Sequence, residues 1–227
     1  MKIAVLGAMP EEIKPLLEKL QTKKIKYANN TFYLTNYKNH EIIIAYSKIG
    51  KVNSSLSATI MIEKFKAEIL LFTGVAGALD ENLKIGDMFY AKSLVQHDVD
   101  LTAFGHPFGY ISESEHFYFA DKNLIKIAEN TAKKLDIKLH SGIIASGDQF
   151  ISDEDKKNWI KKEFNADVVE MEGASVACVC SSLNIPFFIL RAISDEAGKK
   201  AEFDFEKFVI ESAEKSAIFV LKMIENI

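Results

Sequence analysis

The chain has 227 residues, 48% of them hydrophobic, with a formal net charge of −4 and a pI near 5.8. That length and apolar share fit one large globular domain over residues 1–227, and the acidic balance removes any general electrostatic attraction to nucleic acid or anionic membrane. Five dispersed histidines and two cysteines, Cys178 and Cys180, lack metal-ligand spacing, so no metal and no other cofactor is expected.

The chain opens on "KIAVLG" (2–7), a continuous apolar run of the kind shown by strands covered on both faces. It is too short for a signal peptide and is followed at once by acids. No window approaches the roughly 20 apolar residues of a membrane span, and the expected address is cytoplasmic. "PEEIKPLLEKL" (10–20) begins with proline and two acids, as helix starts prefer. Strands are predicted at 31–37 and 41–47, a helix at 51–66, then strands at 68–74 and 87–96. A helix at 121–136, a strand at 141–147, a helix at 153–164, a strand at 167–171, a helix at 173–183 and a strand at 186–194 follow. Phe205, Phe208, Val209, Ser212, Ser216, Phe219, Val220 and Met223 then keep a 3.6-residue stripe. This order predicts an α/β fold with a mixed, mainly parallel sheet and helices on both faces. The lysine pairs, Lys199-Lys200 among them, fall at segment ends and read as solvated surface, and the two cysteines as small buried hydrophobes.

In such sheets ligands bind beyond the carboxyl ends of the strands. There the chain places Met9 and Glu12, then "KIGKVNS", "GVAGAL", "GDQFIS", Met171 with Glu172, and "RAISD" with Arg191 and Asp195. Each has a plain reading. Glu12 is a favourable charge at a helix N-terminus; Glu170 and Glu172 are ion-pair partners of Arg191; Asp195 is an N-cap. "GVAGAL", which is neither a Walker loop nor GxGxxG, is a tight strand-to-helix turn. Their convergence on one end of the sheet weakens these readings together. Two carboxylates in the apolar run "DVVEMEGASVACVC" (167–180) also need partners, because an unpaired buried charge costs several kcal/mol (roughly).

"GAMPEE", "SKIGKVN", "FTGVAGAL", "HDVDLTAFGHP", "ASGDQF", "VEMEGASVA" and "LRAISD", in this order and nearly end to end, resemble the 5′-methylthioadenosine/S-adenosylhomocysteine nucleosidase family of the nucleoside phosphorylase superfamily. "QHDVDLTAFGHP" and "SGDQF" resemble the branch that takes 6-amino-6-deoxyfutalosine in a menaquinone route. The resemblance implies a three-layer αβα sandwich, a homodimer, and hydrolysis of the N9–C1′ bond in 5′-substituted adenine nucleosides: 5′-methylthioadenosine, S-adenosylhomocysteine, 5′-deoxyadenosine and aminodeoxyfutalosine.

On that resemblance Asp195 is the general acid toward adenine N7, Glu12 holds and deprotonates the water, and Glu172 accepts the ribose 2′- and 3′-hydroxyls. Glu170 supports the site near the water together with Arg191, which is expected to face the water and the glutamates and not Asp195. Met171 is expected to touch the sugar, which requires a twist because a regular strand would turn it away. Phe150 stacks on adenine while backbone groups of Phe150 and Ile151 pair with its edge; Val75, Ala76, Gly77 and Ser194 complete the nucleoside contacts. Met9, Ile49 and Phe205 form the 5′ pocket. Leu101, Phe104 and His106, in the 98–112 segment, reach the neighbouring subunit's site. Val75 stands where many relatives carry serine, and Ser112 where some carry a proline lining the 5′ pocket. Two rival readings remain: a phosphorylase, for which only Arg191, Lys48 and Lys51 offer cations, and a non-catalytic nucleoside-binding module.

Overall fold

The computed structural model describes residues 1–198 and 201–227, so the Lys199-Lys200 pair lies outside the described residues. The first half runs β1 (Lys2–Gly7), α1 (Pro10–Lys19), β2 (Lys23–Tyr27), β3 (Asn30–Tyr37), β4 (His40–Tyr46), α2 (Lys51–Glu63), β5 (Ile69–Phe72), β6 (Val75–Ala78) and β7 (Met88–Gln96). A 3-10 turn (Thr102–Phe104) leads to β8 (Tyr118–Phe119), α3 (Lys122–Lys134), β9 (Leu139–Ser146), α4 (Glu154–Phe164), β10 (Val168–Glu170), α5 (Gly173–Ser182), β11 (Phe187–Asp195) and α6 (Ala201–Ile224).

The strands join in the order β2-β3-β4-β1-β5-β11-β6-β10-β9-β7-β8, and β11 also pairs with β7. That extra pairing closes β11, β6, β10, β9 and β7 into a ring at one side of the sheet. The sheet is mixed, with six parallel pairings and five antiparallel ones. Side chains alternate across each strand, and β1 shows how this builds three layers. Ile3 and Val5 pack with Ile13, Leu16, Leu124, Phe219 and Met223 of α1, α3 and α6. Ala4 and Leu6 pack with Ala58, Met61, Val176 and Ala177 of α2 and α5. Helices therefore cover both faces of the sheet, the αβα arrangement the sequence predicts.

Three strands escape the sequence reading. β2, "KKIKY", is almost wholly exposed and pairs only with β3, so no buried face imprints a pattern on it; its lysines suit an outer edge. β8 is two residues long. The third matters most: "GVAGAL" is not a strand-to-helix turn, because Val75–Ala78 forms β6, parallel to β11 and antiparallel to β10. Its small residues hide strand character from composition but let neighbouring side chains approach closely. The strand expected at 167–171 stops at Glu170, which leaves Met171 and Glu172 in the bend before α5. The twist that Met171 requires is that strand end.

Candidate active site

The loops beyond β1, β10 and β11, together with β6, enclose a cavity of about 290 Å³. Its walls include all three carboxylates assigned distinct tasks, Glu12, Glu172 and Asp195, with Glu170 beside them. One concave space thus collects acids from three distant parts of the chain.

Glu12 owes its position to helix geometry. It sits in the first turn of α1, and its carboxylate folds back over the helix start: Oε2 accepts the N–H groups of Ala8 at 2.5 Å and Met9 at 2.9 Å. The capping role is therefore real, yet it uses one oxygen. Oε1 accepts the Val75 N–H at 3.0 Å across the sheet. Each carboxylate oxygen has room for about two donors, so Oε1 retains an acceptor direction. Burial pushes Glu12 above the ordinary carboxylate range, opposed by the Arg191 charge and by the three N–H donors. Gly74 makes this approach feasible, since a Cβ there would lie 2.5 Å from Glu12 Oε1.

The two glutamates of "VEMEG" have different partners, and this corrects the reading that pairs both with Arg191. Glu170 takes the ion pair: Arg191 Nη2 donates to its Oε2 at 2.6 Å, both groups being buried. The Gly173 N–H at 2.8–2.9 Å, the Glu172 N–H at 3.2 Å and the Ser146 hydroxyl also donate to Glu170. With its lone pairs filled, Glu170 is a buried charge made tolerable by pairing. Arg191, expected to face the water as well as the glutamates, pairs with Glu170 but does not line the cavity. It lies behind Glu12 and Glu170, with its guanidinium carbon 4.1 Å from the centroid of the Phe72 ring.

Glu172 has one donor, the Gly50 N–H at 2.9 Å. Burial, reinforced by the neighbouring Glu170 charge, pushes it up to about 8. An acceptor so sparsely satisfied in an apolar wall is poised for a ligand that donates hydrogen bonds.

Asp195 ends β11, where the pairing register with β6 shifts between Ile193 and Asp195. A bulge of this kind re-aims the side chain that follows it. Its Oδ1 accepts the Ala197 N–H at 2.8 Å and its Oδ2 the Ser194 hydroxyl at 2.9 Å. Burial dominates and raises its pKa, and Arg191 is turned away toward Glu170. A Cβ at Gly77 would stand 2.7 Å from Asp195 Oδ1, so glycine at this strand position leaves the room that the Asp195 carboxyl occupies.

Met9, Ile49, Val75, Ala76, Gly77, Phe150, Ile151, Met171, Ser194 and Phe205 also line the cavity. The Phe150 and Phe205 rings meet edge to face, with centroids 5.7 Å apart. Leu101, Phe104 and His106 do not reach the cavity of their own chain; Phe104 is 79% exposed, and His106 packs on Tyr110. Ala8, Gln149 and Val169 line the cavity without having been singled out; Gln149 lies inside the quoted "SGDQF" motif, which was its available signal. No lysine, arginine or histidine is among the described lining residues.

A sequence model described as "Phosphorylase superfamily" matches residues 2–225. The chain is 62% identical to the aminodeoxyfutalosine nucleosidase of Campylobacter jejuni, with 100% of both chains covered. It is 41% identical to the 5′-methylthioadenosine/S-adenosylhomocysteine nucleosidase of Bacillus licheniformis, again over 100% of each. It superposes with a TM-score of 0.99 on the Helicobacter pylori 5′-methylthioadenosine/S-adenosylhomocysteine nucleosidase, at 47% identity and over 100% of this chain and 99% of that one. That structure holds an amino-pyrrolopyrimidine joined through a methylene to a propynylthiomethyl-pyrrolidinol. Matched end to end in sequence and in fold, the chain belongs to the phosphorylase superfamily, among its N-glycosidic hydrolases.

Proposed function

We propose that the cavity binds a 5′-substituted adenine nucleoside and hydrolyses its N-glycosidic bond, with Asp195 as acid, Glu12 as base and Glu172 as the ribose grip. The observation that carries this reading is the set of three carboxyl groups, each in a different environment, lining one apolar cavity with no cation among its described lining residues. Phosphorolysis would need cationic donors for phosphate, and Arg191 is committed to Glu170. Water needs none.

As the N9–C1′ bond lengthens, positive charge builds on the sugar and negative charge on adenine. Asp195, kept toward its neutral form by burial, delivers a proton to N7 and so avoids an adenine anion as leaving group. Glu12 accepts the proton of the attacking water through the free direction of Oε1. Its upward shift makes it a stronger base, while the N–H donors keep its anion tolerable. Two acids with surroundings this different divide the proton transfers between them. Glu172 offers two acceptor oxygens to the vicinal 2′,3′-diol. Phe150 provides a stacking face for the base, and Met9, Ile49 and Phe205 an apolar seat for the 5′ group.

The fold leaves large apolar side chains exposed, Val52 (77%) and Leu56 (52%) on α2 and Phe104 in the 98–112 segment. They support a homodimer in which Leu101, Phe104 and His106 of the 98–112 segment complete the neighbouring subunit's 5′ pocket; its proposed address is the cytoplasm. Aminodeoxyfutalosine is the substrate named by the relative at 62% identity, and methylthioadenosine and S-adenosylhomocysteine those of the relative at 41%. Measuring kcat/KM for the three nucleosides in phosphate-free buffer tests the reading. Adenine release without phosphate is the expected result, and strict phosphate dependence would overturn it.

A further inference from the structure

Glu172 does not hold itself in place. The Gly50 N–H that supports it belongs to the residue immediately before α2, held at φ +97°. The next residue, Lys51, gives its backbone N–H to Asp148 Oδ1 at 2.7 Å. The Lys51 ammonium reaches Asp98 Oδ1 at 2.6 Å and Gln96 Oε1 at 3.1 Å. Asp98 Oδ2 accepts the Asp148 backbone N–H at 2.9 Å. The bonds close a circuit: Lys51 side chain to Asp98, Asp98 to the Asp148 backbone, Asp148 carboxylate to the Lys51 backbone.

The members come from the start of α2 and from the loops after β7 and β9, which no local sequence pattern joins. Side-chain exposures of 17% for Lys51 and 15% for Asp98 set this pair apart from the chain's surface ion pairs. Burial draws the Asp98 carboxyl upward, and the Lys51 ammonium with the Asp148 N–H outweighs it, leaving Asp98 below its ordinary range. A Cβ at Gly50 would lie 2.9 Å from Asp148 Oδ1, so glycine serves both the backbone turn and the close approach of the aspartate. On one side the circuit sets the direction of the Gly50 N–H, and hence of Glu172. On the other it anchors Asp148, whose successors Gln149, Phe150 and Ile151 line the cavity.

We propose that Lys51, Asp98 and Asp148 are positioning residues, locking the start of α2 to the base-holding loop so that Glu172 meets the ribose diol in a single orientation. Without the ammonium, Asp98 is a buried charge without its counterion. The two aspartates then repel, and the start of α2 shifts relative to Glu172. The inference rests on the nucleosidase reading.

The test compares kcat/KM for 5′-methylthioadenosine and its 3′-deoxy counterpart in wild type, Lys51→Met, Lys51→Arg and Asp98→Asn. Lys51→Met and Asp98→Asn should lose about 10–100-fold on the ribosyl substrate, the scale of a ~1 Å misplacement. They should lose far less on the 3′-deoxy substrate, whose grip by Glu172 is already weakened. The discrimination between the two substrates therefore collapses, and Lys51→Arg restores most of it. Equal losses on both substrates would mark a merely structural role and overturn the inference, as would undiminished discrimination. If Lys51→Met fails to fold, the near-isosteric Asp98→Asn carries the comparison. Absence of adenine release by the wild type overturns the nucleosidase reading itself, and is told apart by appearing before any substitution is made.

Discussion

Replacing Asp195 by asparagine removes one transferable proton and almost nothing else. The substituted side chain would keep a carbonyl oxygen for the Ala197 N–H, now 2.8 Å from Oδ1. Its NH₂ group would face Ser194 Oγ, at present a donor at 2.9 Å, and a hydroxyl can turn and accept instead. Loss of general acid catalysis costs about 10²–10⁴ in kcat, or roughly 2.7–5.4 kcal/mol of transition-state stabilisation. Stability should move the other way. The folded-state pKa of Asp195 is raised by burial, so its stabilising contribution is present below the unfolded value near ~3.9 and is lost as pH rises through the folded value. The amide carries no such penalty at pH 8, and the variant should melt no lower than wild type. At this chain length each kcal/mol is worth about 2–4 °C in Tm. Adenine release in phosphate-free buffer, the Kd of a ribosyl ligand and a melting curve form the assay. Near-normal turnover with unchanged Kd would refute Asp195 as the acid. A melting point several degrees below wild type would refute the argument that the substitution is silent in the fold.

Glu172 is pushed up to about 8 in the ligand-free cavity, while hydroxyls donated to it favour the ionised form; at pH 7 a ribosyl ligand should release a proton that Glu172→Gln does not release. Calorimetry in buffers of different ionisation enthalpy reads the difference, and equal release by both proteins would place the diol elsewhere. The stability due to this group is lost as pH rises from 4.5 through about 8, so Glu172→Gln should gain in Tm on wild type across that window; a constant difference would refute the shift. Gly77→Ala would set a methyl group 2.7 Å from Asp195 Oδ1 and 3.0 Å from Ala197 Cβ. Overpacking of this kind costs about 1–3 kcal/mol, and displacing the acid by ~1 Å should lower kcat about 100-fold; unaltered kcat and Tm would show that Asp195 moves freely.

What the sequence determined by itself was local or cumulative. Continuous apolar runs marked β1, β4, β5 and β11 because strands covered on both faces are apolar throughout. The ordered motifs identified the family, and the positions of Glu12, Glu172 and Asp195 just past their apolar runs place them at one end of the sheet. β2 and β6 stayed hidden, one too charged and the other too small-sided to display a buried face. Tertiary structure alone decided which glutamate Arg191 neutralises, since a buried cation goes to the carboxylate already gathering N–H donors at the start of α5. It also decided that Met171 leaves the strand, that a bulge re-aims Asp195, and that Lys51, Asp98 and Asp148 close one circuit. Backbone propensity and hydrophobic period are written along the chain, whereas the charge state of a buried carboxyl depends on donors brought from residues up to 122 positions away.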